Sequence, residues 1–347
     1  MNGKSADVRR AATIADVARE ADVSIRTVSR VLNNSPKVGK ETRETIERTI
    51  ERLGFRRSLR ARALASGRSF LLGVVQGDHN AHVIGLFQQG IVEICSEAGY
   101  ELLVHPATAQ DPDLTSNIED FVQRTRIDGL VLLPPLSELP SIPRTLRRLG
   151  VAAVGIAAVR VPGYPAMLVS AERTAANEMA RYLVGLGHRR IGMITGPMQF
   201  YSASEREQGF HEGLAATGIA MPAAYVREGD YGFESGLAAA EALLSLPEPP
   251  TAIFAGNDIM AAALLKVAQG RGLSVPDDLS VAGFDDSDIA SMISPALTTI
   301  RRPVLEMARE ATERVIALLD GEEDRLPDYS VGLEVIVRQS TAPPRAG

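Results

Sequence analysis

The 347-residue chain has no tryptophan, a single cysteine and only 5% aromatic residues, and it offers no long apolar run. Each scarcity excludes something. Cys95 has no partner for an intramolecular disulfide, so stability must come from buried cores, and a reducing compartment is expected. Every apolar stretch is broken within a handful of residues by glycine, proline or a charge, which leaves no membrane-spanning helix. The polar stretch from Met1 to Arg10 has no secretory apolar segment behind it, so a cytoplasmic protein is expected. No G-x-G-x-x-G, P-loop or G-x-S-x-G motif occurs, so dinucleotide, nucleotide and hydrolase chemistry lack their usual mechanics. His79 and His82 lie close together but have no cysteine or carboxylate at metal-ligand spacing. No metal, no cofactor and no enzymatic activity are expected.

The formal net charge of −6 argues at first against a nucleic-acid partner. That sum hides a split. Residues 1–68 hold 16 of the 37 Lys and Arg but only 8 of the 43 Asp and Glu, a net of +8. The other 279 residues hold 21 basic and 35 acidic side chains, a net of −14. A basic head on an acidic body is the asymmetry of a nucleic-acid-binding appendage on a globular module.

The head reads as three short helices. Thr13-Ile14-Ala15-Asp16 has the form of a capping box, and Ile14, Val17, Ala18 and Ala21 follow helical spacing. Ser24 caps a second helix over Ile25 to Leu32, closed by the breaker cluster Asn33 to Pro36. A third runs from about Glu41 to Leu53, with Gly54 as its stop. Small Ala18 and Ala21 let the first two helices cross closely, which makes a helix-turn-helix unit. The second helix then presents Ser24, Ile25, Arg26, Thr27, Ser29 and Arg30 outward, hydroxyls and guanidiniums suited to phosphates and to base edges in a major groove.

This segment, Thr13 to Asn33, resembles the DNA-binding headpiece of the lactose-repressor family of bacterial regulators. The resemblance implies that Ile25, Arg26 and Arg30 read bases, with Ser24, Thr27, Ser29 and Asn33 nearer the phosphates, and Thr13, at the start of the unit, is expected among the DNA-binding residues as well. It also makes Arg57 to Gly67 a hinge helix that folds on the operator and inserts Leu64 into the minor groove. Arg57, Arg60, Arg62 and Arg68 would neutralise phosphates there. The chain departs from the family pattern at Gly39, Phe55 and Arg57-Ser58, where Ser, Tyr and Pro-Asn are usual.

From Phe70 onward, short β-rich runs alternate with amphipathic helical stretches. The runs are Leu71–Val75, Glu101–His105, Leu130–Pro134, Val151–Ile156, Ile191–Thr195, Ala252–Ala255 and Leu279–Gly283. Strands apolar on both faces, separated by helices, mean parallel sheets covered on both sides. Their number predicts an α/β core of two doubly wound parallel-sheet lobes, with ligands beyond the carboxyl ends of the strands. Asn257 and Asp285 each follow a β-rich run, and Arg206 opens a helix after a third. Such a trio can both donate to and accept from vicinal hydroxyls, as a sugar ring requires.

These stretches look like the same family's effector-binding core, itself similar to periplasmic sugar-binding proteins. The similarity implies that Arg206, Asn257 and Asp285 hold the ligand, that Tyr231 stacks on it, and that Asp78, Phe87 and Ser202 line the same pocket. Ala157 stands where many sugar-responsive members carry an aspartate. The expected organisation is a helix-turn-helix domain over residues 1–56, a hinge over 57–68 and a core over 69–347. Within the core, lobe 1 is expected at about 69–169 plus 301–328, and lobe 2 at about 170–300 plus 329–341. The expected function is a homodimeric transcriptional regulator, a repressor, on palindromic double-stranded DNA, controlled by a small polar effector of carbohydrate type. A nucleoside effector on the same fold, or a solute-binding protein of a transport system, are the alternatives.

Overall fold

The computed structural model describes residues 12–32, 35–55, 66–77, 81–322 and 327–345. It divides into two compact units, Met1–Ser69 and Phe70–Gly347.

Among its described residues the first unit is the predicted three-helix head: α1 (Ile14–Glu20), α2 (Ile25–Leu32) and α3 (Lys40–Leu53). Buried Val17, Ala18, Val28, Val31 and Ile46 meet in its centre, with Val23, Leu32 and Phe55 at the rim. Gly54 ends α3 in the left-handed conformation, φ +61°, the geometry that favours glycine after a helix. Gly39 begins it with no side-chain cap.

Among its described residues the second unit holds two six-stranded sheets. The first lobe is built from β1 (Leu71–Gln76), α4 (Ala81–Ala98), β2 (Glu101–Pro106), α5 (Leu114–Thr125), β3 (Gly129–Leu132), α6 (Ser141–Leu149), β4 (Ala152–Ala157) and β5 (Ala166–Ser170). The second follows with α7 (Glu172–Gly185), β6 (Ile191–Thr195), α8 (Tyr201–Ala215), β7 (Val226–Glu228), α9 (Phe233–Leu244), β8 (Ala252–Ala255), α10 (Asp258–Gly270), β9 (Ser280–Asp285), α11 (Asp288–Met292) and β10 (Thr298–Arg301). The chain then returns to the first lobe with α12 (Val304–Leu319) and β11 (Tyr329–Val331), and ends in the second with β12 (Glu334–Ile336).

Strand order is β11-β5-β4-β3-β1-β2 in one sheet and β12-β10-β9-β8-β6-β7 in the other. All neighbours run parallel except β10 and β12. Central strands such as Gly129–Leu132 and Ala252–Ala255 are buried along their whole length, because helices cover both faces.

Two expectations are corrected by this topology. The return to lobe 2 does not come at residue 329: Tyr329–Val331 pairs with Leu168–Ser170 and closes the edge of the first sheet. A three-residue edge strand among polar neighbours is too short to show a periodicity. Phe87, expected to line the ligand pocket, is 2% exposed on α4 and is not among the residues that line the cavity between the lobes.

Candidate functional site

The head is shaped by its caps. Thr13 N–H donates to Asp16 Oδ2 at 2.9 Å, the Thr13 hydroxyl donates to the same oxygen at 2.7 Å, and Asp16 N–H points back to Thr13 Oγ1 at 3.4 Å. The Thr13 hydroxyl thus belongs to the capping box rather than to the outer face. The Thr13 side chain, its backbone N–H and then Arg19 hold the Asp16 carboxyl at about 2, below the usual range. Asp22 adopts φ +51° in the turn, which lets α2 start abruptly at Ser24. Ser24 Oγ accepts from Thr27 N–H at 3.1 Å and caps α2.

Val28 and Val31 are buried beneath α2. Ser24, Arg26 and Arg30 are exposed, Thr27 and Ser29 half-buried, and Ile25 is 51% exposed. An exposed isoleucine between a serine cap and an arginine gives a contact surface of one apolar and several cationic or hydroxylic groups at a helix N-terminus. Asn33, Arg57, Arg60, Leu64 and Asp78 lie outside the described residues.

In the second unit a cavity of about 140 Å³ opens between the lobes, at the carboxyl ends of their strands. Gly77, which follows β1, and Pro134 and Pro135, which follow β3, come from the first lobe. The second lobe supplies Phe200, Ser202, Arg206, Tyr231, Asn257, Asp285 and Arg302. Five of the side chains expected from sequence are therefore brought together: Ser202, Arg206, Tyr231, Asn257 and Asp285.

Arg206 is 4% exposed and firmly held. Its Nε donates to Glu172 Oε2 at 2.7 Å, its Nη1 donates to the Gly256 carbonyl, and its Cζ stands 3.6 Å from the centroid of the Phe284 ring. Burial alone would lower its pKa, but Glu172, with Tyr231 and Asp285, holds it above the ordinary value. Asp285 ends β9 at φ +109° and Tyr231 sits at φ +67°. Two side chains at one site in the region that favours glycine mark backbone strain concentrated where a ligand would bind. Asn257 caps α10 by accepting from Met260 N–H and donates from Nδ2 to the Tyr231 carbonyl, both at 2.9 Å.

Sequence reasoning missed Glu172 and Arg302. Arg302 Nη2 stands 3.0 Å from Asp285 Oδ1 and its Nη1 4.0 Å from Glu172 Oε1, all three residues being buried. Arg206, Arg302 and Asp285, which line the cavity, are thus linked through ion pairs with one another and with Glu172. Asp258 accepts from the Ser287 N–H at 2.8 Å and from the Thr299 hydroxyl at 2.6 Å. Burial, and then the Asp285 carboxylate, push the Asp258 carboxyl up to about 7.

Comparison with known proteins agrees with both units. The model of the lacI family of bacterial regulatory proteins matches residues 13–58, and that of a periplasmic binding protein-like domain matches residues 180–341. The HTH-type transcriptional repressor CytR of Escherichia coli (strain K12) is 33% identical over 95% of this chain and 96% of that protein. The transcriptional regulator CelR of Thermobifida fusca is 32% identical over 96% and 99%. Among solved structures, the lac repressor dimer bound to operator and the anti-inducer ONPF superposes with a TM-score of 0.82 at 26% identity, covering 96% of this chain and all of that one. A CelR–cellobiose complex gives 0.72 at 28%, covering 95% and 99%. A helix-turn-helix head joined to a two-lobed core with a polar cavity between the lobes, matched over nearly its full length by transcriptional regulators, places this chain in the lacI family of bacterial regulatory proteins.

Proposed function

We propose that this regulator acts as a homodimeric repressor whose operator affinity falls when its lobes bind an uncharged, polyhydroxylated effector, a sugar or sugar derivative. The observation that carries the effector class is the charge balance at the cavity. Arg206 and Arg302 are already matched by Glu172 and Asp285 within 2.7–4.0 Å. A sugar acid or sugar phosphate would find no uncompensated cation, whereas neutral hydroxyls find oriented donors and acceptors on Arg206, Asn257 and Asp285. Tyr231 offers a ring face for stacking, and the similar regulator CelR is seen with cellobiose.

In the head, Ile25, Arg26 and Arg30 read bases while Ser24, Thr27, Ser29 and Asn33 contact phosphates. Residues 57–68 form the hinge, with Leu64 as minor-groove wedge and Arg57 and Arg60 at flanking phosphates. Two heads occupy successive major grooves of a palindromic site. Effector and operator then compete through one two-state equilibrium, each lowering the affinity of the other by the same factor.

A ligand that binds only the native state raises the melting temperature. Thermal-shift screening of neutral mono- and disaccharides and nucleosides against sugar acids and sugar phosphates tests the effector class. A shift confined to neutral compounds supports the reading, and a shift produced by the anions alone overturns it. Gel shifts with a palindromic DNA pool, with and without the stabilising compound, test the coupling.

A further inference from the structure

We propose that Glu138 clasps the two lobes together: a buried carboxyl carried by lobe 1 grips the first turn of α8 in lobe 2 and caps that helix only while the lobes are joined. Glu138 ends a short 3-10 turn, Leu136–Glu138, after β3. That turn is pinned within its own lobe by the Ser137 hydroxyl, which donates to the Ile156 carbonyl. From there the Glu138 carboxyl reaches both sides of the junction. Oε1 accepts from Ala158 N–H of lobe 1 at 3.3 Å, and Oε2 accepts from Tyr201 N–H of lobe 2 at 2.9 Å.

Tyr201 is the first residue of α8, whose N-cap, Phe200, contributes no side-chain hydrogen bond. The helix that carries Ser202 and Arg206 is therefore capped from the opposite lobe. A cap normally comes from the residue just before the helix and moves with it. Here the cap exists only while the lobes are together, so α8 is fixed against lobe 1 by one buried carboxyl. That Ser202 and Arg206 hold an effector rests on the function proposed above; the clasp itself does not.

Protonation enters through the neighbours. Glu138 is 3% exposed, and the charged side chain acting on it from lobe 2 is Glu172, 2% exposed at the start of α7. Glu172 is in turn paired with Arg206 at 2.7 Å and Arg302 at 4.0 Å. Burial and the Glu172 carboxylate both disfavour an ionised Glu138, while the N–H groups of Ala158, Tyr201 and Ser202 favour it. The balance holds the Glu138 carboxyl up at about 7. Parting the lobes would expose it to water and remove Glu172, which returns it toward 4.5. Closure then takes up a proton between those values, and acidification favours the joined lobes.

Amide hydrogen exchange of residues 200–204 in the full-length protein, without effector or DNA, tests this after correction for intrinsic exchange at each pH. Wild type is expected to be up to about tenfold better protected at pH 6 than at pH 8. Glu138→Gln, which keeps the shape of the protonated form, should be protected alike at both values. Glu138→Ala should be poorly protected at both. The same pH dependence in wild type and Glu138→Gln, or full protection in Glu138→Ala, would overturn the clasp. A melting curve confirms that each variant is folded, and if the alanine variant is not, the glutamine comparison decides alone.

Discussion

The phenol of Tyr231 fills the space in which a side chain at Gly196 would stand: a Cβ built there lies 2.0 Å from Tyr231 Cζ and 2.3 Å from its hydroxyl oxygen. Gly196 follows β6 and Tyr231 follows β7, so two adjacent strand ends set the position of one aromatic ring. Gly196→Ala must therefore displace the ring, at a cost of about 1–3 kcal/mol for forced overpacking. We expect the variant to fold and to bind operator, but to lose the thermal shift given by the neutral ligand that stabilises wild type. Pairing it with Tyr231→Ala restores room for the methyl group. A double variant no more stable than Gly196→Ala alone would show that the clash is relieved elsewhere.

The ion pair of Arg206 and Glu172 makes a second prediction. Both partners are almost fully buried, so Glu172→Gln deprives a buried guanidinium of its hydrogen-bonded carboxylate and leaves it Asp285 as an acidic neighbour. Removing one member of a buried pair costs roughly 3–5 kcal/mol, whereas replacing both by apolar groups of similar volume costs far less. Urea unfolding of Glu172→Gln should show a much lower midpoint than wild type, and adding Arg206→Met should recover much of the loss. Additive effects in that double-mutant cycle would show that the pair is not coupled.

What the sequence displayed of this site follows from where each residue sits. Asn257 and Asp285 adjoin clear β-rich runs and Arg206 lies in the helix after a third, so their place toward the carboxyl ends of a parallel sheet was legible. Glu172 was not, since an acidic residue in the first turn of a helix reads as an ordinary dipole partner. Arg302 follows the short β10, whose Thr298–Arg301 sequence has no apolar run to announce it. Glu138 sits in a 3-10 turn between prolines, and its role depends on α8 arriving from the other lobe, a relation that no local pattern encodes.

The raised carboxyl of Asp258 has a sign that can be measured. Its pKa is about 7 in the folded protein against 3.8 for an ordinary aspartate, so the native state holds a proton that the unfolded chain releases. The stability this group contributes is full below the unfolded value and falls as pH rises toward 7. Asp258→Asn keeps a polar partner for the Ser287 N–H and the Thr299 hydroxyl while abolishing the titration. Between pH 5 and 7 the denaturation midpoint of the variant should decline less steeply than that of wild type. Parallel profiles would mean that Asp258 is ionised throughout.

In the head, the proposed readers are separable from the supports. Thr13 faces Asp16 within the capping box, whereas Ile25 and Arg26 project from the start of α2. Thr13→Ala should lower the melting temperature of the head, with a loss of about 1 kcal/mol typical of a lost N-cap. Such a loss weakens cognate and non-cognate DNA alike, because it acts on the folded fraction. Arg26→Ala leaves the helix capped by Ser24, and instead removes a side chain able to bond a guanine edge through two donors, worth about 1–3 kcal/mol of discrimination at one base pair. Competition gel shifts between an operator and single-base variants distinguish the two outcomes. A uniform loss for Arg26→Ala, with no position relaxed, would move that residue from base reading to phosphate contact, and its salt dependence would then fall by the slope of one contact.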